Sequence, residues 1–297
     1  MTANATSSHW TEQDIPDQAG RTVIVTGANS GLGEMAARAL VRKNAHVVLA
    51  CRNTTKGKAV ADTIGDGAEV RELDLADLSS VRSFAAAVDK VDVLINNAGV
   101  MAVPKRKTAD GFEMQIGTNH LGHFALTGLL LDRIADRVVT MSSGVHAIGS
   151  IGIDDLNYEH RRYESWTAYG QSKLANLLFA YELQRRLEAA GSPVKSLAAH
   201  PGYAATNLQS HTESIMDRVM AIGNKVIAQK AEMGALPELY AATSPAAEGG
   251  QFIGPDGLGN LRGHPTTNKS NKKSRDVEMA GKLWALSEQL TGVSYSF

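Results

Sequence analysis

One cysteine, Cys51, stands among 297 residues, so the chain can form no internal disulfide. That is compatible with a reducing compartment. Net charge is almost absent as well. The 30 basic and 31 acidic residues leave -1, and no global field favours nucleic acid or an anionic membrane. Long apolar runs are missing: "LGHFALTGLLL" falls far short of the roughly 20 residues a membrane span needs. Residues 1–20 are polar and lack the apolar core of a signal peptide, so they read as a poorly ordered arm. These absences lead to the expectation of a cytoplasmic protein with no nucleic-acid partner and no membrane span. No composition break divides the rest, and 21–297 is expected to be one domain.

What is present is alternation. Apolar residues make up 43% and charged residues 21%, a globular composition. "TVIVTG" is a buried-strand pattern, and "HVVLA", "AEVRELDL", "VDVLINNAG", "DRVVTMSS" and "VKSLAAHPG" follow as five more strands. A short seventh, "GQFIGP", closes one edge. Helical patterns fill the gaps, the first with Met35, Ala36, Ala39 and Leu40 on its apolar face. The rhythm predicts an α/β fold, a doubly wound parallel sheet (Rossmann fold) of about seven strands. Beyond it, "HPTTNKSNKKSR" reads as a solvated surface loop, with phosphate contact as the alternative. Met279, Leu283, Leu286 and Leu290 then recur at helical spacing, with Trp284 flanking and Gly292 as a stop. That predicts a helix packed on the domain; a partner-binding helix is the other reading.

The first strand runs into "TGANSGLG", which carries Gly27, Gly31 and Gly33 into a helix. Such a turn lets backbone N–H groups approach phosphate without a Cβ in the way, and the helix N-terminus faces the anion. Glycines serving only a tight turn are the weaker alternative. The second strand ends "LACRN" with no carboxylate for the ribose hydroxyls of NAD. It offers Arg52, which suits a 2′-phosphate. NADP(H) is therefore expected over NAD(H), although an ordinary surface arginine would look the same. Asp74 ends the third strand, placed either to bind the adenine amine or to cap the next helix.

In "YGQSK", Tyr169 and Lys173 lie four residues apart and share one helix face. A cation one turn away favours phenolate. By itself the spacing is weak, because it turns up by chance in many helices.

Seven motifs together are specific. "TGANSGLG", "LDL", "NNAG", "TNHLGHF", "VVTMSS", "YGQSK" and "HPGYAAT" follow in the order of the short-chain dehydrogenase/reductase family, which the chain resembles over about Arg21 to Thr206. "YGQSKLANLLFA" looks most like the retinol-dehydrogenase and WW-domain-oxidoreductase branch. The resemblance implies roles. Tyr169 matches the acid/base and Lys173 its partner. Ser143 matches the serine that bonds the substrate oxygen, and Asn119 helps hold a water near the lysine. Gly27, Ser30, Gly31, Leu32 and Gly33 match the phosphate turn. Arg52, Asp74, Leu75, Asn97, Ala98 and Gly99 match the adenosine side. Pro201, Gly202 and Thr206 match the loop at nicotinamide and pyrophosphate. The family commonly dimerises through the catalytic helix, so "LLFAYELQRRL" is expected to help build a homo-oligomer.

The sequence also departs from the pattern. Ser143 and Tyr169 are 26 residues apart, about twice the usual gap. The extra segment, "HAIGSIGIDDLNYEHRRYESW", should lie near the substrate cleft. The branch's membrane anchor and WW modules are not in this sequence. His120, His123 and His146 show no metal-ligand pattern. Ile215, Met216, Val219, Met220 and Ile222 either shape a lipophilic pocket or pack as core. The expected activity is NADP(H)-dependent exchange of a lipophilic alcohol and carbonyl. A non-catalytic dinucleotide-binding regulator is the alternative.

Overall fold

The computed structural model describes residues 9–203 and 230–297. The strands are β1 (Thr22–Thr26), β2 (His46–Cys51), β3 (Ala68–Glu72), β4 (Val91–Asn96), β5 (Ile134–Met141), β6 (Lys195–Ala199), β7 (Phe252–Pro255) and β8 (Pro265–Thr267). They form one sheet in the order β3-β2-β1-β4-β5-β6-β7-β8. The first seven run parallel, and β8 pairs antiparallel with β7.

A period of two assigns the strand side chains. Val23, Val25, Val47, Leu49, Val93 and Ile95 enter one core; Ile24, Val48, Ala50 and Leu94 enter the other. Both faces are covered, so each central strand reads as an unbroken apolar run. On the first face lie α1 (Gly31–Arg42) and Ala61 of α2 (Thr54–Ile64). On the second lies α3 (Leu78–Ala86). It is joined by α4, a continuous stretch of Met114–Ile116, a π turn over Gly117–Leu121, and Gly122–Leu130. The long α5 (Ser165–Ala189) completes that layer. After β6, α6 (Ala231–Thr243) returns to the first face and α7 (Val277–Thr291) covers the second.

Two expectations need correction or extension. The sheet has an eighth strand, inside the stretch expected to be a surface loop. Three residues are too few to show periodicity, and only pairing such as Gly254 with Thr266 reveals it. Residues 9–20 do not behave as a loose arm. Ile15 is 2% exposed within the first core, and Glu12 binds Arg42 at 2.7 Å. In "LLFAYELQRRL" the apolar residues Leu177, Leu178, Phe179, Ala180, Leu183 and Leu187 are all buried within the domain. α7 supplies much of that cover. Trp284, expected beside the apolar stripe, is 3% exposed and stacks on Phe179 at 5.8 Å. The Tyr295 hydroxyl donates to the Phe124 carbonyl at 2.6 Å.

Candidate active site

The sheet order turns between β1 and β4, and a groove of about 470 Å³ opens there at the carboxyl ends of the strands. Gly27 leaves β1 at φ 69°, where a Cβ would lie 2.9 Å from the Ala98 Cβ. Gly31 opens α1 at φ 60°. Gly33 does a different job: a Cβ there would lie 2.5 Å from Asn97 Nδ2 and 2.9 Å from the Gly27 carbonyl. It lets the helix pack against the turn. Ser30 is the N-cap of α1 but makes no side-chain cap bond, so first-turn N–H groups stay available beside Leu32 on the groove wall. Thr26 Oγ1 accepts from the N–H groups of Asn97 and Ala98, each at 2.9 Å, and so holds the "NNAG" turn under the groove. Backbone cradle and helix N-terminus together fit a dinucleotide phosphate.

At the adenosine end, Arg52 is 75% exposed and reaches within 3.9 Å of Asp74 Oδ2. Lys56 lines the same wall. It was not singled out in the sequence, though it stands four residues after Arg52, in the first turn of α2. Its backbone N–H is fixed by Asn53 Oδ1 at 2.9 Å. The capping alternative for Asp74 falls. Asp77 caps α3, accepting from the Ser79 N–H at 2.8 Å, while Asp74 accepts from the Ala76 N–H. Leu75, 6% exposed, lines the groove floor next to it.

Tyr169 and Lys173 sit together on α5, 7% and 4% exposed. Lys173 Nζ lies 5.7 Å from the centre of the Tyr169 ring and donates to the Met141 carbonyl at 3.2 Å, at the end of β5. Burial pushes the lysine down to about 8. Burial pushes the tyrosine up to about 12, with a hydrogen bond to Ser143 pulling the other way. Desolvation, which favours the neutral phenol, outweighs that bond. Ser143 also caps the turn that follows β5, accepting from the Val145 N–H at 3.3 Å.

Asn119 lies in the π turn of α4, a distortion that frequently marks functional positions. Its side chain is committed to the protein. Oδ1 accepts from the Val100 N–H at 2.8 Å, and Nδ2 donates to the Val100 carbonyl and to Ser172 Oγ, both at 2.9 Å. It ties the segment after "NNAG" to α5. Gly99 packs here, where a Cβ would lie 3.1 Å from Asn119 Oδ1. His123 joins the same link, bridging Thr26 Oγ1 at 2.9 Å and the Asn119 carbonyl at 3.1 Å.

A groove for a dinucleotide beside a buried Tyr-Lys pair and Ser143 is what the family comparison meets. The short chain dehydrogenase profile matches residues 21–216. The chain belongs to that family. It is similar to retinol dehydrogenase 13 of Homo sapiens, 41% identical over 92% of this chain and 85% of that one. Polyprenol dehydrogenase of Mus musculus is 38% identical over 94% of this chain and 86% of its own length. A solved structure of an uncharacterized protein from Mycobacterium Paratuberculosis is 53% identical, with a TM-score of 0.86 over 98% of this chain and all of that one. The chain is an alcohol/carbonyl oxidoreductase of the short chain dehydrogenase family.

In this dehydrogenase the residues between Tyr169 and Lys173 have work of their own. Gly170 lets the extra segment press on α5: a Cβ there would lie 3.1 Å from the Val145 carbonyl and 3.2 Å from the Gly149 nitrogen, and a Cβ at Gly149 would lie 2.3 Å from the Gly170 carbonyl. Gln171 is fully buried and clamps that segment. Its Oε1 accepts from the Gly152 N–H at 3.1 Å and from Arg161 Nη2 at 2.6 Å, and its Nε2 donates to the Leu156 carbonyl at 2.9 Å. The Arg161 guanidinium in turn covers the Tyr158 ring at 3.8 Å. A glutamine on a helix face is the clamp's one local trace, because its partners are distant in the chain. After β6, Pro201 and Gly202 form a turn in which Gly202 takes φ 66°, and a Cβ there would meet the Leu261 carbonyl at 2.4 Å. Thr206 and the apolar positions from Ile215 to Ile222 lie outside the described residues.

Proposed function

We propose that the chain moves a hydride between NADP(H) and a lipophilic alcohol or carbonyl, with Tyr169 as the acid/base. The observation that carries this reading is the burial of Tyr169 with Lys173, beside the half-buried Ser143 at the end of β5 and next to the dinucleotide groove. The bound nicotinamide would supply or accept the hydride. The chain's own part is orientation and proton transfer. In reduction Tyr169 gives its proton to the nascent alkoxide, and in oxidation it takes one. Burial favours the protonated phenol, the form from which the acid role starts. Ser143 is placed to orient the same oxygen, and Lys173 brings positive charge to the ring. Asn119 fixes the backbone between groove and helix.

The cofactor preference is supported by Arg52 and Lys56 on one wall and by the absence of a carboxylate at the end of β2. The substrate class is supported by relatives named for retinol and polyprenol, both isoprenoid alcohols. A cytoplasmic location belongs to the same proposal. The test is NADPH consumption against a panel of short and lipophilic aldehydes and ketones. Turnover of lipophilic members supports the reading; NADPH binding with no turnover of any member favours the regulator instead.

A further inference from the structure

His200 ends β6 and leads into the Pro201–Gly202 turn, and it is 4% exposed. Its two ring nitrogens have different partners. Nδ1 lies 3.3 Å from the Gly202 backbone nitrogen, and Nε2 lies 2.9 Å from the Asn268 side-chain amide. A backbone N–H can only donate, so Nδ1 is the acceptor. A neutral imidazole then carries its proton on Nε2. Asn268 Nδ2 faces Nε2 and lies 3.5 Å from the Pro255 carbonyl. With Nε2 protonated the amide takes the flipped orientation, which turns its oxygen to the imidazole and gives up that long contact. Burial pushes the ring down to about 4, so the neutral form persists. His146 is the titratable neighbour, and both imidazoles pack on Phe252, at 5.7 and 4.8 Å between ring centres.

The surrounding chain is built around this pair. A Cβ at Gly254 would lie 2.0 Å from His200 Nε2 and 2.2 Å from Asn268 Nδ2, so only glycine leaves them room. Asn268 follows β8 directly, and its N–H donates to the Phe252 carbonyl at 2.7 Å. The eighth strand thus delivers Asn268 to His200. On its other side the turn is held at Leu261, whose carbonyl accepts from the Tyr203 N–H at 2.7 Å.

We propose that His200, held in one tautomer by Asn268, is a positioning residue that fixes the Gly202 turn against the nicotinamide end of the cofactor. The proposal rests on the dinucleotide reading above. It gives β8 a role that the parallel sheet alone does not need.

Two measurements test it. The first is the ¹⁵N spectrum of the wild-type imidazoles. Nδ1 of His200 should appear unprotonated and Nε2 protonated; a proton on Nδ1 overturns the proposal. This readout needs no variant and no turnover. If the wild-type chain fails to bind NADPH, the functional reading fails, and the spectrum still decides the tautomer. The second is cofactor kinetics. Loss of one hydrogen bond corresponds to about three- to tenfold, so His200→Leu should raise the NADPH KM by that factor and change kcat less. His200→Asn keeps an acceptor near the Nδ1 position and should restore KM to within about twofold of wild type. Asn268→Leu should raise KM in the same direction, and it serves if His200→Leu does not fold. Unchanged KM in both leucine variants, or equal damage in His200→Leu and His200→Asn, overturns the proposal.

Discussion

Lys173 Nζ stands 5.7 Å from the centre of the Tyr169 ring, and both side chains are buried. Two ionisable groups sealed in one place shift in opposite directions, the lysine to about 8 and the tyrosine to about 12. Desolvation favours the neutral form of each.

Tyr169→Phe keeps the ring and removes the proton. A positioned acid/base is worth about 100- to 10,000-fold, so kcat should fall at least a hundredfold. NADPH binding, followed by fluorescence titration, should stay near wild type. Activity within about tenfold of wild type would take the role away from Tyr169.

Lys173→Met tests the depressed lysine. The unfolded chain holds that proton up to about 10.5, the native chain only to about 8. Between those values the unfolded state binds more protons, so stability rises with pH across the window. Below pH 8 the penalty is complete, roughly 3 kcal/mol for a shift of this size. Urea unfolding at pH 7 and pH 10 should show Lys173→Met more stable than wild type at pH 7, with the gap narrowing at pH 10. A variant less stable at pH 7 would mean that the bond to the Met141 carbonyl outweighs desolvation.

Arg52 and Lys56 should set the cofactor. Arg52→Ala removes one charged phosphate partner, worth about 1.5–3 kcal/mol, so kcat/KM for NADPH should drop about ten- to a hundredfold. The value for NADH should hardly move. Equal kcat/KM for the two cofactors in the wild type would end the NADP(H) assignment.

The α5 face makes a prediction about assembly. Its apolar residues are already buried, and Trp284, Tyr295 and Phe124 pack together over that side of the domain. Crosslinking of the wild type should join no two copies through the apolar face of α5. Trp284→Ala should lose about 3–5 kcal/mol in urea unfolding, the cost of emptying a large aromatic site. A crosslink joining the α5 helices of two wild-type copies would contradict this account.

The sequence by itself determined the parallel sheet, because strands buried on both faces must be written as apolar runs. It determined the phosphate turn, because Gly27 and Gly31 adopt positive φ between a strand and a helix. It also determined the shared face of Tyr169 and Lys173, a property of helix periodicity alone. Tertiary structure decided the rest. Asp77 rather than Asp74 caps α3, since capping depends on where an oxygen meets an N–H. Residues 9–20 fold onto the domain through Ile15 and Glu12, contacts with no local signature. Gln171 and His200 gain their partners from segments distant in the chain, the extra loop and the strand before Asn268. The protonation of Tyr169 and Lys173 was likewise beyond the sequence, because spacing fixes which groups are neighbours while burial fixes what their charges cost.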